Sequence, residues 1–551
     1  MTMTFGNAER RDGRWILTDV PPNVAIRLKS MFARISKTQT KTFSLPDTTE
    51  MAADLEWFFQ RYPMNMSDTD RATMLGRKKL FEDDRAAREA ILLPGWKPEA
   101  ALMGFRPGFS PYPGQRQAIE LYYKRRGLLV ADEGGGGKTW VAMGSMVGST
   151  VMPAAVIVDP QLAEQWQDEF ITPYTYLTSH IIDGTSPYNL PPANVYIFRY
   201  SNIAGWVDVA ATGFFKQVIF DEIQAGRTGT GTSKGAAMKV FADNAEMRLG
   251  LSATFFFNYG AEAWNIMQYI DPDLLGPWDE FVREWCVMGR GGKWVVSDPD
   301  ALGAYLRQCQ VVIRRKGQGR KVNRLTVNVD YDHGVADKSL DLARVLAMKV
   351  VNGSFTESGQ AARELDALAR HTTGVAKARS VAAYVRILLE QGEPVLLAGW
   401  HRDVYEIWNE ELADFNPVMI TGSETPKQKT RSKKAFMSGE SNLCIISLRS
   451  AQGIDGLQRR SNTIVVGELD WAPPVYDQLV WRLDRPGQEK DEVNVLFCVS
   501  DSGSDPVVMS VNATKRDQAR GIHDPGEEMP PVTADVAHIK MLAERFLEEA
   551  S

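Results

Sequence analysis

One stretch of the chain decides the fold: residues 128–139 read LLVADEGGGGKT. An apolar run suited to a buried strand leads into four glycines, and the residues after them suit a helix. Glycines let backbone N–H groups curl around phosphate oxygens, and a helix N-terminus adds the positive end of its dipole. A lysine at this place can reach the β- and γ-phosphates of a nucleotide, and the threonine hydroxyl can bind Mg²⁺. The predicted nucleotide-binding residues are Gly134, Gly135, Gly136, Gly137, Lys138 and Thr139, with Lys138 also catalytic and Thr139 also a metal ligand.

A phosphate loop needs an acidic partner at the end of another strand, and Asp221-Glu222 supplies one. The two carboxylates follow the apolar run 217–220, and ligands bind at the carboxyl ends of strands in sheets of this kind. We expect Asp221 to hold Mg²⁺ and Glu222 to orient and deprotonate an attacking water. The loop itself is a variant form, because the strict pattern GxxxxGK[ST] would place a glycine at Asp132.

Short apolar runs alternate with helix-compatible segments in two blocks of the chain, the first from about residue 105 to 254. This pattern is typical of strands that are buried on both faces and separated by crossover helices. It predicts an α/β fold with two parallel-sheet lobes of about five strands each. The runs lie at 128–131, 154–158, 194–198 and 217–220, and then at 394–398, 417–420, 443–447, 463–466 and 494–499.

These blocks predict five regions. Residues 1–104 form a small N-terminal accessory domain, read as a packing domain or, alternatively, as an arm that contacts the substrate. Residues 105–310 form lobe 1, 311–375 a basic interlobe linker with a helical segment, and 376–505 lobe 2. Residues 506–551 form an acidic tail with a helix predicted over 535–549. Residues 521–551 hold seven acidic and two basic side chains, and are read as plain surface or as a competitor of DNA.

Composition excludes several classes of protein. The chain has 551 residues and a net charge of −6, from 63 Lys and Arg against 69 Asp and Glu. That balance argues against a protein that coats nucleic acid through bulk positive charge, but it allows a local basic groove. The four cysteines form no CxxC pair, which argues against disulfides and zinc sites. Without an apolar leader or a run of about 18 apolar residues, we expect a cytoplasmic chain and no membrane partner.

Taken together, the motifs resemble those of superfamily 2 helicases and translocases, and more narrowly those of the SNF2-like group, over roughly residues 105–500. The loop is similar to the ADExGxGKT of that group, and Gln115 matches the glutamine that reads the adenine edge. The resemblance implies two tandem RecA-like lobes that bind ATP and Mg²⁺ between them.

Further motifs of the first block follow in the order of the family. Residues 156–160 are similar to motif Ia, which implies that Pro160 and Gln161 contact a nucleic-acid backbone. Gln224 stands where the DEAH-box slot usually has histidine. The SAT motif implies that the nucleotide site is coupled to the nucleic-acid groove through Gln224, Ser252, Ala253 and Thr254.

The second block continues the resemblance with motifs IV and V. Residues 421–423 are similar to motif IV, which implies backbone contacts by Gly422 and Ser423. Residues 447–457 are similar to motif V, which implies nucleic-acid contact by Ser447 and ATP contact by Asp455. The GID core of this motif looks closer to general superfamily 2 helicases than to the SNF2 consensus.

The most telling resemblance lies in residues 469–488, which are similar to the DWNP and QAxxRxHRxGQ motifs of SNF2-like proteins. It implies that Gln478 contacts ATP and that Arg482 and Arg485 act as arginine fingers on the γ-phosphate, a device worth about 10³–10⁵ in rate where it has been defined. The chain departs from the pattern at Ala472, Leu479 and Asp484. We read Asp484 as a neighbour that screens Arg485.

A basic segment follows the first lobe, with six cations and no acid between residues 310 and 329. It is either a solvated linker or a surface that contacts the DNA backbone, and we prefer the second reading. The cations are Arg314, Arg315, Lys316, Arg320, Lys321 and Arg324, of which the first three are the predicted nucleic-acid contacts.

The function implied by the resemblance is that of a nucleic-acid-dependent ATPase, a translocase that moves along duplex or branched DNA and remodels or reanneals it. A strand-separating DNA or RNA helicase is the first alternative, and an ATP-gated binding switch that grips a protein such as RNA polymerase is the second. DNA is the preferred partner, through contacts independent of sequence, and replication, recombination or transcription proteins are possible others. The compact chain fits a bacterial or phage origin.

Overall fold

Two parallel sheets and one small antiparallel sheet organise the chain. The computed structural model describes residues 4–510, except for residues 37, 257–259, 289–293, 317–319, 353–354, 449–455, 472 and 486. Most of the expected tail 506–551, including the helix predicted over 535–549, lies outside the described residues, and so do Asp455 and the GID core of motif V.

The N-terminal accessory domain is built on a three-stranded antiparallel sheet in the order β1-β2-β3. Its elements are β1 (Asn7–Arg11), β2 (Arg14–Thr18), α1 (Pro22–Met31), β3 (Thr42–Pro46), α2 (Thr49–Arg61) and α3 (Asp68–Leu92). Apolar side chains from the sheet and from α2 share one core, which includes Trp15, Phe43 and Phe58. The hydroxyl of Thr48 caps α2 by accepting a hydrogen bond from the Met51 N–H at 3.0 Å.

Lobe 1 is a seven-stranded sheet in the order β12-β4-β9-β8-β5-β7-β6, and all of its pairings are parallel. Its strands are β4 (Gly127–Val130), β5 (Ala154–Val158), β6 (Ser179–Ile181), β7 (Val195–Arg199), β8 (Gln217–Asp221), β9 (Met247–Leu251) and β12 (Val312–Ile313), while β10 (Cys286–Met288) and β11 (Trp294–Val296) pair with each other. Its helices are α4 (Pro113–Arg125), α5 (Lys138–Val147), α6 (Ala163–Gln165), α7 (Thr172–Tyr174), α8 (Val207–Ala211), α9 (Ser233–Asp243), α10 (Gly260–Ile270), α11 (Trp278–Trp285) and α12 (Pro299–Gln308).

Lobe 2 is a six-stranded parallel sheet in the order β13-β18-β17-β14-β16-β15. Its strands are β13 (Lys321–Asn328), β14 (Val395–Gly399), β15 (Val418–Ile420), β16 (Leu443–Ser447), β17 (Thr463–Val466) and β18 (Glu492–Val499). Its helices are α13 (His333–Asn352), α14 (Phe355–Glu390), α15 (Arg402–Glu411), α16 (Pro426–Ser438) and α17 (Pro473–Leu483). The predicted class, two tandem parallel-sheet lobes of the RecA-like kind behind a small N-terminal domain, is confirmed.

The segment 311–375, expected as an interlobe linker, is instead divided between the lobes. Val312 pairs with Leu129 at the edge of lobe 1, and Leu325 pairs with Leu496 at the edge of lobe 2. The expected boundary between residues 375 and 376 falls inside the single helix α14. A two-residue strand and a polar edge strand leave no apolar run in the sequence, which explains the difference.

The remaining composition-based expectations concern thiols and membranes. All four cysteines are free thiols, in agreement with their spacing. Among the described residues, no helix combines the length and the apolar character that crossing a membrane requires.

Candidate active site

The phosphate loop joins β4 to α5 and adopts the conformation that its glycines allow. Gly135 and Gly137 have φ of +78° and +74°, in the left-handed region that favours glycine. A Cβ added to Gly137 would overlap the Gln115 side chain. The Gln115 Nε2 donates to the carbonyl of Gly136 at 3.3 Å, and its Oε1 accepts from the Tyr112 N–H at 2.8 Å. Gln115 therefore supports the loop from α4.

Lys138 opens α5 and turns its ammonium group back under the loop. Its Nζ donates to the carbonyl oxygens of Asp132 at 2.9 Å and Glu133 at 3.4 Å. Desolvation lowers the pKa of the Lys138 ammonium, against the opposite effect of the nearby carboxylates of Glu222, Asp132 and Asp221. A nucleotide phosphate at this point would meet a partly desolvated cation. Thr139, the next residue, is half-buried in the first turn of the same helix.

Asp221 ends β8 and lies on the floor of the site. The indole Nε1 of Trp166 donates to its Oδ2 at 2.9 Å, and the Tyr200 hydroxyl donates to its backbone carbonyl at 2.9 Å. Desolvation, followed by the charge of Glu222, raises the pKa of the Asp221 carboxyl to about 7. A cation bound there would favour the ionised form, so the residue suits the expected Mg²⁺.

Glu222 follows in the left-handed conformation, with φ of +53°, which directs the chain sharply away from the strand. The Gln224 Nε2 donates to the Glu222 carboxylate at 2.5 Å. Gln224 is buried, and its own Oε1 has no hydrogen-bond partner in the part of the chain that the structure describes. The glutamine that replaces the usual histidine therefore orients the predicted catalytic carboxylate.

The SAT residues follow β9, whose Leu251 is in register with Asp221 of β8. The Ser252 hydroxyl accepts from the Thr254 N–H at 3.0 Å, and both side chains are buried. The Arg314 Nη1 donates to the carbonyls of Ala131 and Ala253, at 2.8 Å in each case. One guanidinium therefore connects the start of the phosphate loop with the SAT turn.

Arg315 also has a role within lobe 1. Its guanidinium forms an ion pair with Asp132, and its backbone N–H donates to the same carboxylate at 2.9 Å. Only 1% of the Asp132 side chain is exposed, so the arginine compensates a buried charge. Arg314 and Arg315 differ in this from the DNA contacts expected of them, because the protein itself uses their guanidinium groups. Lys316, the third expected contact, is exposed.

The later cations of the basic segment also form ion pairs within the protein. Arg320 forms an ion pair with Asp484 at 3.1 Å and donates to the Gln488 carbonyl at 3.1 Å. Asp484 thus pairs with Arg320, which differs from the prediction that it screens its neighbour Arg485. Two further pairs follow along β13, Lys321 with Glu492 at 3.3 Å and Arg324 with Asp477 at 2.5 Å.

The end of α17 places lobe 2 on the phosphate loop. A Cβ added to Gly134 would overlap the Trp481 side chain, and one added to Gly135 would lie 3.3 Å from the Arg485 Cγ. The Arg485 Nε donates to the Trp481 carbonyl at 2.6 Å. Arg482 is buried and Gln478 is half-buried on the same helix. The structure therefore brings one of the two predicted arginines directly to the loop and the other within the adjoining helix.

The predicted nucleic-acid contacts fall at the carboxyl ends of parallel strands. Pro160 and Gln161 are exposed after β5, and Gly422 and Ser423 are exposed after β15. Ser447 ends β16 and is buried. Four of these residues are therefore open to a ligand at the edges where such sheets bind one.

Three contributions were missed from the sequence. Trp166 binds Asp221 from 55 residues away, Trp481 covers the glycine loop, and Trp140 joins an aromatic cluster beside Gly137. In that cluster Trp140 stacks on Phe105 at 5.6 Å and lies 5.0 Å from Tyr174 between ring centroids. Trp481 lies inside the motif region 469–488, but no spacing rule assigns it a partner.

Comparison with known proteins agrees with the motifs. No protein-family model matches the chain. A Drosophila melanogaster protein, the SWI/SNF-related matrix-associated actin-dependent regulator of chromatin subfamily A-like protein 1, is 21% identical over 429 residues. The match covers 74% of this chain and 55% of the relative, so the chain spans little more than half the length of that protein.

Two solved structures also match. A Sulfolobus solfataricus SWI2/SNF2 ATPase core in complex with dsDNA is 17% identical, with a TM-score of 0.39, over 82% of this chain and 98% of that one. The core domain of a Sulfolobus solfataricus SWI2/SNF2 ATPase is 16% identical, with a TM-score of 0.35, over 79% and 93%. The chain is thus similar in sequence to a SWI/SNF-related protein over 74% of its length, and its motifs lie on two parallel-sheet lobes.

Proposed function

We propose that this chain is a nucleic-acid-dependent ATPase, a SNF2-like motor that hydrolyses ATP to move along duplex or branched DNA and to remodel or reanneal it. One observation carries the proposal: Trp481 and Arg485 of lobe 2 lie on the phosphate loop of lobe 1. A nucleotide on that loop is within reach of groups from both lobes. Its γ-phosphate would hold the lobes together, and hydrolysis would release them.

ATP is the substrate that fits the loop. The glycine backbone and Lys138 would hold its phosphates, and Gln115 would face its base. Thr139 and Asp221 would hold Mg²⁺, which supplies positive charge to the phosphate oxygens when it is bound. The raised pKa of Asp221 supports this assignment, because a desolvated carboxylate favours a cation beside it.

Glu222 is the proposed general base. Its carboxylate, oriented by Gln224, would accept a proton from the attacking water while the water oxygen forms a bond to the γ-phosphorus. The bond from that phosphorus to the β–γ bridging oxygen breaks, and ADP leaves with the electron pair. Arg482 and Arg485 would stabilise the charge that develops on the transferred group.

Arg314 is the proposed link between hydrolysis and nucleic acid. It binds the carbonyls of both Ala131 and Ala253, so a shift of the phosphate loop is transmitted to the SAT turn. The exposed loops after β5 and β15 are the proposed backbone contacts. Contacts to phosphates carry no base information, so we expect little sequence specificity. The fly relative is named as a regulator of chromatin, which supports a role on DNA.

The test compares ATP hydrolysis in the presence of single-stranded DNA, duplex DNA, forked DNA and RNA at one salt concentration. We expect duplex or forked DNA to stimulate turnover most, with no strand displacement. Displacement that depends on a single-stranded overhang would favour the strand-separating helicase instead. Negligible turnover with every nucleic acid would overturn the proposal and leave the ATP-gated switch.

A further inference from the structure

Helix α16 of lobe 2 carries a dense positive charge that has no counter-charge in the described part of the fold. It has no acidic residue, and its five cations are Lys427, Lys429, Arg431, Lys433 and Lys434. In the part of the chain that the structure describes, none of these side chains has an ion-pair or hydrogen-bond partner. The basic segment of residues 310–329 differs, because Arg314, Arg315, Arg320, Lys321 and Arg324 are all paired there.

The charges of α16 also oppose one another. Lys427 and Arg431 are four residues apart on the helix, and so are Lys429 and Lys433, a spacing at which like charges repel. Folding alone gives no reason to collect five cations in this way. A polyanion bound along the helix would relieve the repulsion.

The exposed stripe has the dimensions of a phosphate backbone. Lys427, Arg431 and Lys434 are exposed and follow each other at intervals of four and three residues, so they share one face. Their separation along the axis is about 10 Å at 1.5 Å per residue. That length corresponds to about three phosphates of one DNA strand, which are spaced about 3.4 Å apart along the duplex axis.

The position of α16 fits the same partner. The helix begins directly after the exposed loop of Gly422 and Ser423, at the carboxyl end of β15. At its other face, the Lys433 Cε lies 3.5 Å from the place that a Cβ on Gly456 would occupy. Gly456 immediately precedes the turn Leu457–Arg459, at the end of motif V. The start of α16, with Lys427, therefore adjoins one predicted nucleic-acid loop, and Lys433 on another face lies beside the end of the other.

We propose that the exposed face of α16 is the principal electrostatic contact of lobe 2 with the phosphodiester backbone of nucleic acid. This inference rests on the proposed function, because it presumes that the chain binds nucleic acid. It transfers to α16 the role that the sequence had suggested for the basic segment after lobe 1.

The test uses two double variants of the full chain that each remove one lysine and one arginine. K427Q/R431Q changes the exposed face of α16, and K321Q/R324Q changes the paired cations of β13. Binding of a fluorescent duplex is measured at several salt concentrations. Each lost phosphate contact lowers the slope of log affinity against log salt by about 0.9. We expect K427Q/R431Q to lower the slope by about 2 and K321Q/R324Q to leave it unchanged.

The possible outcomes separate the two proposals. If the wild-type chain binds and hydrolyses as proposed but K427Q/R431Q keeps its slope, the assignment of α16 is wrong and the motor stands. If the wild-type chain binds no nucleic acid, the proposed function itself fails. If K427Q/R431Q loses binding to polyglutamate while it keeps its affinity for DNA, α16 serves an acidic protein and the inference is overturned.

Discussion

Trp481 of lobe 2 lies directly on Gly134 of lobe 1, so that even a methyl group on the glycine would overlap the indole. Gly134 is therefore needed for a second reason besides phosphate binding. Because it has no side chain, it lets lobe 2 approach the loop. The Trp481 carbonyl also accepts the Arg485 Nε at 2.6 Å. One residue thus sets both the approach of the lobes and the position of a predicted arginine finger.

Replacement of Trp481 with alanine is therefore expected to impair turnover more than nucleotide binding. The phosphate loop and the backbone carbonyl of residue 481 stay in place, but α17 loses the indole that seats it on Gly134. Arg485 can then shift relative to the loop, and a misplacement of about 1 Å can cost about 10²-fold in rate. We expect kcat for DNA-stimulated ATP hydrolysis to fall by about that factor, with a small change in KM. Trp57→Ala is the matched control, because Trp57 is 62% exposed on α2 of the N-terminal domain. Equal rates for both variants would contradict the role of Trp481.

Variants of Glu222 and Lys138 are expected to lose activity in different ways. Glu222→Gln removes the proposed base, so the variant should bind ATP normally and lose about 10²–10⁴-fold in turnover. Lys138→Ala removes the ammonium under the loop and should weaken ATP binding itself. Nucleotide affinity and single-turnover hydrolysis measured on both variants separate the two effects. A Glu222→Gln variant with wild-type turnover would show that another group is the base, and the exposed Glu246→Gln of the same lobe is the control.

The parts of this molecule that could be predicted from sequence are local. A buried strand, a glycine run and GKT stand next to one another, so the chemistry of residues 128–139 can be read in order. The same holds for the carboxylates after β8, and for the arginines at the end of α17. Apolar runs revealed most of the parallel strands because both faces of those strands are covered.

The parts that could not be predicted depend on distant partners. Asp132 and Arg315 are 183 residues apart in the sequence. The sequence alone therefore suggests a variant loop position for Asp132 and a DNA contact for Arg315, and it does not indicate that the two form a pair. The density of positive charge in residues 310–329 predicts a surface that binds DNA, but it does not reveal which cations form ion pairs within the protein. The β13 cations have carboxylates from β18 and α17 opposite them, whereas those of α16 have none among the residues that the structure describes. Net charge along the chain is thus a poor guide until the pairing is known.

The raised pKa of Asp221 predicts a pH-dependent stability. The folded pKa is about 7 and the unfolded one is about 4, so the folded protein binds an extra proton between these values. Stability from this group therefore falls as the pH rises from about 4 to 7, and is constant above that range. Asp221→Asn removes the effect. Without nucleotide and Mg²⁺, the Tm of Asp221→Asn minus that of wild type should increase from pH 5 to pH 8, whereas a constant difference would contradict the assignment.

If Asp132 and Arg315 stabilise the fold as an ion pair, losing Arg315 alone should lower the free energy of unfolding more than losing both residues. Arg315→Ala leaves the Asp132 carboxylate buried, with the backbone N–H of residue 315 as a remaining donor. Loss of one partner from a buried pair costs about 3 kcal/mol of unfolding free energy. Asp132→Ala combined with Arg315→Ala removes both charges and should cost less than Arg315→Ala alone.

Urea unfolding of the single and the double variant at pH 7 measures this difference. Arg402→Ala is the control, because its pair with Glu406 is exposed on α15 and such pairs contribute about 0–1 kcal/mol. A double variant less stable than Arg315→Ala would mean that Asp132 stabilises the loop through other contacts. A double variant that recovers stability but hydrolyses ATP slowly would show that the pair is kept for the shape of the loop, since the charges would then be dispensable for folding and needed for catalysis.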